Sequence, residues 1–414
     1  NGSSRDSGNK IHYLGVVGDP HKIIGKDLYE VGGSNNIALA TVKDGSGITL
    51  EAVTNISGFS LITYEYQTDK TGEDGKSTQA ASRSTSNGYT TYFLGSAKSL
   101  GATEASQEVS ASALATNYDL YLANMNSLNK RMGELRDNPH SQGVWARVFN
   151  GMQTSNFALE TQAVYTTIQA GYDYAFGFEG GNNYVGVALS YANSSTKSKT
   201  INELNQTTQT TSTKGIDAVT SNAVEIAVYN SYVQDGASAQ SGWGNGLFSD
   251  SIVKFSYISS DLTLLDQSNT YNTTNYALTL SQEIGYRFLL GSEGEWNIDP
   301  QAEVALGYLN QSNLRQTLSA QNYLDGIQNA IVTLRSRVGA SFGYDFKKFT
   351  EGKSINAKLY VGAYYVYDYI AGGDVSLTDN FGAKVSLSPL ASTARAVMNV
   401  GTNIGVQDNT RIYF

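Results

Sequence analysis

Hydrophobic and polar residues alternate one by one along most of the chain from Gly143 onward. In the segment 332–346, VTLRSRVGASFGYDF, apolar residues occupy nearly every second position, and Arg335, Arg337 and small residues lie between them. A period of two is that of a β-strand whose two faces have different surroundings. The segments 276–288, 301–308 and 358–369 repeat the pattern. This part of the chain is therefore predicted to form strands with one apolar and one polar face.

The pattern recurs in segments of similar length. We count ten such strands and the start of an eleventh, beginning near Gly143, Val164, Asn183, Ala223, Ser251, Tyr276, Pro300, Ala330, Asn356 and Ala394, with the eleventh at Thr410. Long polar connections such as 193–222 alternate with short ones such as 179–183, as in a barrel whose two ends face different compartments. Tyr and Phe near strand ends match the aromatic girdles of membrane barrels. We predict a transmembrane antiparallel β-barrel; a soluble β-sandwich is the alternative for any single segment.

The eleventh strand is too short to cross a membrane. It starts at Thr410 and the sequence ends at Phe414, whereas a bilayer needs roughly nine to eleven residues per strand. Bacterial single-chain barrels also have an even number of strands. We therefore expect that this sequence is a fragment, and that the parent barrel has twelve strands of which the last are missing here.

One long helical pattern precedes the strands, at 103–138. Its apolar residues recur at alternating spacings of four and three, which places them in a stripe on one helix face. They are Leu114, Tyr118, Tyr121, Met125, Leu128, Met132 and Leu135. The opposite side carries Asn117, Asn124, Asn126, Lys130 and Arg131. Pro139 cannot continue a helix, so the helix is predicted to end there.

The first hundred residues read as a separate β unit. After a polar lead at 1–9, short strand-like runs separated by turn clusters extend from Lys10 to about Tyr92. A small sandwich and the end of a β-solenoid both fit this pattern. We favour the solenoid end, because the hairpin-like pair at 59–67 and 89–94 could cover its open edge.

Composition narrows the class of protein and its partners. The chain has 42 Gly and 28 Tyr, and its charged fraction of 16% lies well below the soluble average of about 25%. No run of eighteen apolar residues is present, as a membrane-spanning helix would need. The net charge of -9 without a basic stripe argues against nucleic acid as a partner. The absence of cysteine is compatible with several compartments.

The candidate chemical motifs have structural explanations. The segment 339–343, GASFG, matches a nucleophile motif, but Ser341 lies inside an alternating strand rather than in a strand-to-helix elbow. His12, His21 and His140 are scattered, and TDKTGEDG at 68–75 lacks the order of a calcium loop. Glu283 and Glu303 could serve as an acid and a base, but charge on a pore lining explains them better. We predict no catalytic, cofactor-binding or metal site, no cofactor, and no enzymatic activity.

With these residues in view, the chain resembles an autotransporter, a type V secretion protein. GVWARVFNG at 143–151 is similar to the first strand of the family's β-domain, and RAVMNVGTNIGVQDNTRIYF at 395–414 to its penultimate region. NSLNKRMGELRDNP in the helix and the Tyr- and Asn-rich strands resemble the vacuolating-cytotoxin-like branch. The resemblance implies three parts: the C-terminal end of a secreted passenger at 1–100, a linker helix threading the barrel at 101–139, and the β-barrel at 140–414.

The resemblance also implies a location, a mechanism and partners. The barrel would lie in bacterial outer-membrane lipid, assembled with the barrel-assembly machinery. It would export and anchor its own passenger at the cell surface. We expect the passenger to be adhesive or related to colonisation and virulence, and to contact a host surface.

The helix is then expected inside the pore. At 1.5 Å per residue it is about 50 Å long, more than the hydrocarbon thickness of about 30 Å. Its part at 118–136 should be enclosed, and its Ala- and Ser-rich first turns should emerge. The lumen-lining residues are predicted as Glu283, Arg287, Glu303, Arg335, Arg337, Lys358 and Arg395. Their partners on the pore helix are predicted as Asn124, Asn126, Lys130, Arg131 and Glu134.

Some autotransporters cleave their own linker at an Asn-Asn junction. This helix has Asn124-Met125-Asn126 and no Asn-Asn pair, so cleavage by that route is not expected, although an Asn beside an acidic lumen residue could still cyclise.

Two other functions are alternatives to the translocator. A porin-like channel with a soluble N-terminal module has no need for the helix, so deleting the helix would leave its conductance unchanged. A soluble surface adhesin without a barrel would keep the segment 140–414 in solution without detergent.

Overall fold

The computed structural model describes most of the chain. The described residues are 9–12, 22–30, 33–46, 50–53, 56–59, 61–67, 70–71, 77–78, 83–129, 143–178, 180–205, 210–234, 245–346, 355–406 and 410–413. The N-terminal strands are β1 (Asn9–His12), β2 (Ala38–Lys43), β3 (Leu50–Val53), β4 (Ile56–Phe59), β5 (Ile62–Gln67), β6 (Lys70–Thr71), β7 (Ser77–Thr78), β8 (Arg83–Ser86), β9 (Tyr89–Phe93) and β10 (Ser96–Ala102). The helix α1 spans Glu104–Asn124.

In the described part of the chain after the helix there are seventeen strands. They are β11 (Gly143–Asn156), β12 (Glu160–Phe178), β13 (Gly181–Ser198), β14 (Ile201–Asn205), β15 (Thr210–Lys214), β16 (Ile216–Gln234), β17 (Asn245–Leu264), β18 (Thr270–Leu290), β19 (Trp296–Leu309), β20 (Ser312–Ser319), β21 (Asn322–Gln328), β22 (Ile331–Asp345), β23 (Ile355–Gly372), β24 (Val375–Asp379), β25 (Lys384–Leu387), β26 (Thr393–Val406) and β27 (Thr410–Tyr413).

Eleven of these strands form one antiparallel sheet in sequence order, β11-β12-β13-β16-β17-β18-β19-β22-β23-β26-β27. The ten predicted long strands and the short eleventh are confirmed. Several begin four to seven residues earlier than predicted, β16 at Ile216 and β18 at Thr270 for example. The reason is that buried and exposed side chains keep alternating in polar sequence such as TYNTTN at 270–275. In such sequence the strand cannot be recognised from alternating apolar residues.

The two faces of this sheet differ as the alternation predicts. Val304 on β19 is 52% exposed, whereas Glu303 beside it is 2% exposed. On β22, Val338 is exposed and Arg335 is buried. Apolar side chains therefore dominate the outer face, and polar and charged side chains are buried on the inner face. We call the side that faces α1 the interior of the sheet.

Three long connections contain strands, whereas the sequence pattern at 193–222 was interpreted as a long polar loop. In the segment 193–222, β13 continues to Ser198, β14 and β15 form a hairpin, and β16 starts at Ile216. The connections before β22 and before β26 contribute β20, β21, β24 and β25, which pair as a four-stranded sheet. The polarity of these segments concealed strands that bury some of their apolar residues, such as Leu314 and Leu377.

The helix differs from the prediction in length and in surroundings. It is capped by Thr103, whose Oγ1 accepts from the backbone N of Ser106 at 3.2 Å, and it ends at Asn124, with turns at 125–128. Its remaining predicted residues, 130–138, lie outside the described part. Asn117 and Asn124 of the predicted polar side are buried along with the described residues of the apolar stripe.

The first turns of α1, which we expected to emerge, are buried as well. Their Ala and Ser side chains lie beneath the hairpins and the N-terminal unit, where small residues let neighbouring strands approach closely, whereas Glu104 stays exposed. One buried apolar cluster therefore contains residues of the N-terminal unit, of α1 and of the segments that connect the long strands, such as Tyr64, Leu114 and Leu377.

The N-terminal strands form four small sheets: β1-β3, β10-β5-β4, β2-β9-β8 and β6-β7. The predicted pairing of 59–67 with 89–94 is wrong, because β5 pairs with β4 and β10 whereas β9 pairs with β2 and β8. β1 and β3 are parallel. The solenoid end stays a prediction. Among the described residues, no helix is both long enough and apolar enough to cross a membrane.

Candidate functional site: the helix and the sheet interior

The helix and the segment after it contact interior side chains from strands on all sides. Hydrogen bonds reach them from β11, β12, β17, β18, β19 and β22. A single sheet can supply all these partners only if it curves around the helix.

Polar contacts hold the middle of the helix. The side-chain amide of Asn117 donates to Asn275 Oδ1 at 2.8 Å, and its Oδ1 accepts from Ser260. The Tyr118 hydroxyl bonds Thr333 Oγ1 at 2.6 Å, and the Tyr121 hydroxyl bonds Thr279 Oγ1 at 2.9 Å. Buried polar groups are costly unless they are paired, so these bonds specify the rotation and depth of the helix.

A buried ion pair lies at the end of the helix. Lys254 Nζ on β17 donates to the backbone oxygen of Asn124 at 2.5 Å and lies 3.1 Å from Glu225 Oε1 on β16. Thr167 Oγ1 donates to Asn124 Oδ1 at 2.7 Å. A cation is favourable at the negative end of the helix dipole. The sequence prediction missed Lys254 and Glu225, although both occupy interior-facing positions of alternating strands.

Five predicted and newly found residues meet just beyond the helix. Asn126 Nδ2 donates to Glu303 Oε1 at 2.5 Å, and Asn129 Nδ2 donates to Glu303 Oε2 at 2.8 Å and to Glu283 Oε2 at 3.2 Å. Arg337 Nε lies 2.7 Å from Glu303 Oε2, and its Nη2 contacts Glu283. Asn129 had not been predicted.

A second charged group lies beside the first. Arg335 makes a two-point contact with Asp368, with N–O distances of 2.7 and 3.0 Å, and its Nη1 donates to Asn126 Oδ1 at 2.6 Å. Arg395 Nη1 reaches the same carboxylate at 2.7 Å. The side-chain amide of Asn126 is therefore held between Glu303, which accepts from its nitrogen, and Arg335, which donates to its oxygen.

The remaining predicted lining residues do not meet the described helix. Arg287 pairs with Asp299 at 2.6 Å, and Ser341 Oγ donates to the same carboxylate at 3.3 Å from within β22. Lys358 faces the interior beside Gly343. Asn124 contacts Thr167 and Lys254 instead of the predicted lining charges.

The other candidate residues lie outside the described part of the chain or away from the helix. Lys130, Arg131, Glu134, His21 and His140 lie outside the described residues, as does most of the 68–75 loop. His12 is in β1. Within the described part of the chain, no group of three or more His, Cys, Asp or Glu residues could hold a metal ion.

Comparison with known proteins identifies relatives. The chain is 28% identical over 384 residues to the serine protease EatA of Escherichia coli O78:H11, covering 91% of this chain and 24% of EatA. It is 26% identical over 381 residues to the serine protease SepA autotransporter of Shigella flexneri, covering 91% and 24%. The chain thus spans about a quarter of the length of these relatives. The vacuolating-cytotoxin-like branch stays a prediction.

The comparison with solved structures finds the β-domain of the Bordetella autotransporter BrkA, with a TM-score of 0.47 and 19% identity, over 66% of this chain and 90% of that one. The sequence model of the family described as autotransporter β-domain matches residues 144–414, which is more than half of the chain. The chain therefore belongs to the autotransporter family.

Proposed function

We propose that this chain exports and anchors the N-terminal passenger of a longer autotransporter at the bacterial cell surface. Its family assignment makes residues 144–414 an outer-membrane translocator domain. In this proposal, residues 1–100 are the end of the passenger, 101–139 are the linker in the pore, and 140–414 are the barrel. The observation that carries it is the buried helix, which is bonded to interior side chains of six strands of one sheet.

The identity of the passenger is part of the proposal. The relatives are named serine proteases, and this favours a protease passenger in the parent protein over the adhesive one predicted from the sequence. The barrel-assembly machinery and a host surface remain proposed partners.

Surface proteolysis of intact cells that express the full-length gene tests the export function. Digestion before residue 103 together with protection of the strands after residue 143 is the expected result, because only the first part faces the medium. Uniform digestion, or protection of the whole chain, would contradict export.

Conductance separates the translocator from a porin-like channel. In planar bilayers, the double variant Tyr118→Ala, Tyr121→Ala should raise the conductance, because it removes two buried rings and their bonds to Thr333 and Thr279. The control is Tyr365→Ala, Tyr367→Ala, which removes two rings from the outer face. Equal conductance of both variants would favour the porin.

The position of Asn126 favours a second candidate function, cleavage of the linker by its own side chain. A carboxylate on Nδ2 and a guanidinium on Oδ1 polarise this amide. α1 has ended at Asn124, and the backbone at 125–128 continues in turns, in which Ser127 N donates to Asn124 O at 3.0 Å and Asn129 N donates to Asn126 O at 3.2 Å. Nδ2 would attack the backbone carbonyl carbon of Asn126 and lose a proton to Glu303. The bond to the Ser127 nitrogen would break, and that nitrogen would gain a proton, leaving a succinimide and a free amine.

Mass spectrometry of the folded protein tests this step. A new N-terminus at Ser127 is expected, and it should disappear in Asn126→Ala and in Glu303→Gln. Asn129→Ala is the matched control, because Asn129 contacts the same carboxylate without adjoining the bond. An intact chain after prolonged incubation would rule the reaction out and leave the export function untouched.

A further inference from the structure

A lysine is buried at the other end of the helix. Lys214, the last residue of β15, is about 4% exposed, and its Nζ lies 2.9 Å from Glu203 Oε2 and 3.6 Å from Asp266 Oδ2. The same nitrogen donates to Ser106 Oγ in the first turns of α1 at 3.3 Å. Four segments therefore meet at one ammonium group: β14, β15, the connection after β17, and the helix.

This location is unfavourable for a positive charge on its own. The N-terminus of a helix carries a partial positive charge and attracts anions, and a buried ammonium group needs close partners to offset its lost hydration. Glu203 and Asp266 supply the two negative charges. Together with the helix, these carboxylates surround the ammonium group and offset its lost hydration.

The cluster fastens one hairpin over the helix. The β14–β15 hairpin connects β13 with β16, and Ile201 at its base packs against the buried apolar cluster that includes Leu114 of α1. Without the helix, Lys214 would lose Ser106 and its cover and would meet water. Exposed ion pairs contribute little to stability, so the hairpin would then be held weakly.

We propose that the Lys214–Glu203–Asp266 cluster is a latch that closes the surface end of the pore over the helix and releases when the helix is absent. The inference rests on the proposed function, because it takes α1 as the segment left in the pore after export. It assigns Lys214 a positioning role in sealing the pore.

Hydrogen exchange of the backbone amides in β14 and β15 tests the latch in the full chain reconstituted in lipid. Lys214→Met should raise their exchange rates roughly tenfold or more, since the hairpin then opens locally. The matched control is Lys199→Met, which breaks the exposed Lys199–Glu160 pair at the base of the same connection, 2.9 Å apart with Lys199 68% exposed, and should change nothing. Conductance in planar bilayers should rise in Lys214→Met and stay at the wild-type value in Lys199→Met.

Coupling to the helix has its own readout. Ser106→Ala removes the helix oxygen that accepts from Lys214 and, at 2.9 Å, from Thr103 Oγ1. Its effect on hairpin exchange should be smaller in the Lys214→Met background than in the wild-type chain, since of these two bonds only the one to Lys214 couples helix and hairpin. Additive effects would show that hairpin and helix are independent and would overturn the latch.

Each remaining outcome is decisive. Equal exchange in Lys214→Met and Lys199→Met would overturn the proposal, and faster exchange without higher conductance would overturn the sealing role. If Lys214→Met lacks the gel mobility of a folded barrel, Glu203→Gln takes its place in both measurements. If surface proteolysis of cells that express the wild-type gene shows no export, the proposed function is rejected, whatever the exchange rates of the hairpin are.

Discussion

Arg337 compensates two carboxylates with one guanidinium group. Glu283 and Glu303 lie directly opposite each other on β18 and β19, and like charges in that position repel. Arg337 on β22 contacts both, Glu303 through Nε and Glu283 through Nη2. Asn126 and Asn129 add N–H donors. The planar fork of arginine makes this arrangement possible, and a lysine could not reproduce it.

The ion pair at the helix end gives a prediction at the residue scale. Lys254→Met should lower the free energy of unfolding by about 3 to 5 kcal/mol, because Glu225 would stay buried without its cation and the Asn124 carbonyl would lose a donor. Tryptophan fluorescence during denaturant unfolding in detergent measures the change.

The control for this prediction is Arg315→Met, which breaks the exposed Arg315–Asp325 pair and should leave stability unchanged. Adding Glu225→Gln to Lys254→Met should recover part of the loss. If both single variants were equally stable, the buried pair would contribute nothing to the fold.

At the scale of elements, glycine and aromatic residues interlock on the interior of the sheet. A Cβ on Gly151, Gly186, Gly285 or Gly401 would lie within 2.3 Å of an aromatic ring atom on the neighbouring strand. The rings belong to Tyr165, Tyr229, Phe248 and Tyr360. The Tyr229 ring lies across Gly186, and its hydroxyl donates to Asp173 and accepts from Trp145 Nε1. The high Gly and Tyr content of the chain thus has a local packing role.

The contact between Gly307 and the helix gives a prediction at this scale. A Cβ at Gly307 would lie 2.1 Å from the Tyr121 hydroxyl oxygen and 3.1 Å from Met125 Cε. Gly307→Ala should displace Tyr121, break its bond to Thr279, and cost about 1 to 3 kcal/mol of unfolding free energy. Gly177→Ala, whose Cβ would meet nothing closer than 3.4 Å, is the control. Equal stability of both variants would show that the helix does not pack tightly against Gly307.

The period of two predicted the strands and the face on which each residue lies, because side chains alternate strictly along a strand. It placed Glu303 and Arg335 inside before their partners were known. The partners depend on the register between strands, which one strand's pattern does not contain. The helix was harder, because a stripe of apolar residues implies one wet face, and here polar residues such as Asn117 are buried against polar strands.

At the scale of the whole molecule, the N-terminal unit and the barrel share one apolar core. Ile62 and Tyr64 of β5, Leu114 of α1, and Leu324 and Leu377 of the four-stranded sheet all belong to it. Ser99 on β10 also donates to Asp379 on β24. The sequence pattern divides the chain at 100 and 139 and does not reveal this packing, because the connecting segments have the composition of polar loops.

Leu377→Ala tests whether the shared core couples the two parts. Leu377 is fully buried, so its truncation should cost about 2 to 5 kcal/mol. Because Leu377 belongs to the same buried cluster as Ile62 and Tyr64 of β5, the amides of β5 should exchange faster while those of β18 keep their protection. Val332→Ala on the outer face is the control. Unchanged exchange in β5 would mean that the N-terminal unit keeps its stability without the contact to the four-stranded sheet. The unit could then fold before it packs against that sheet.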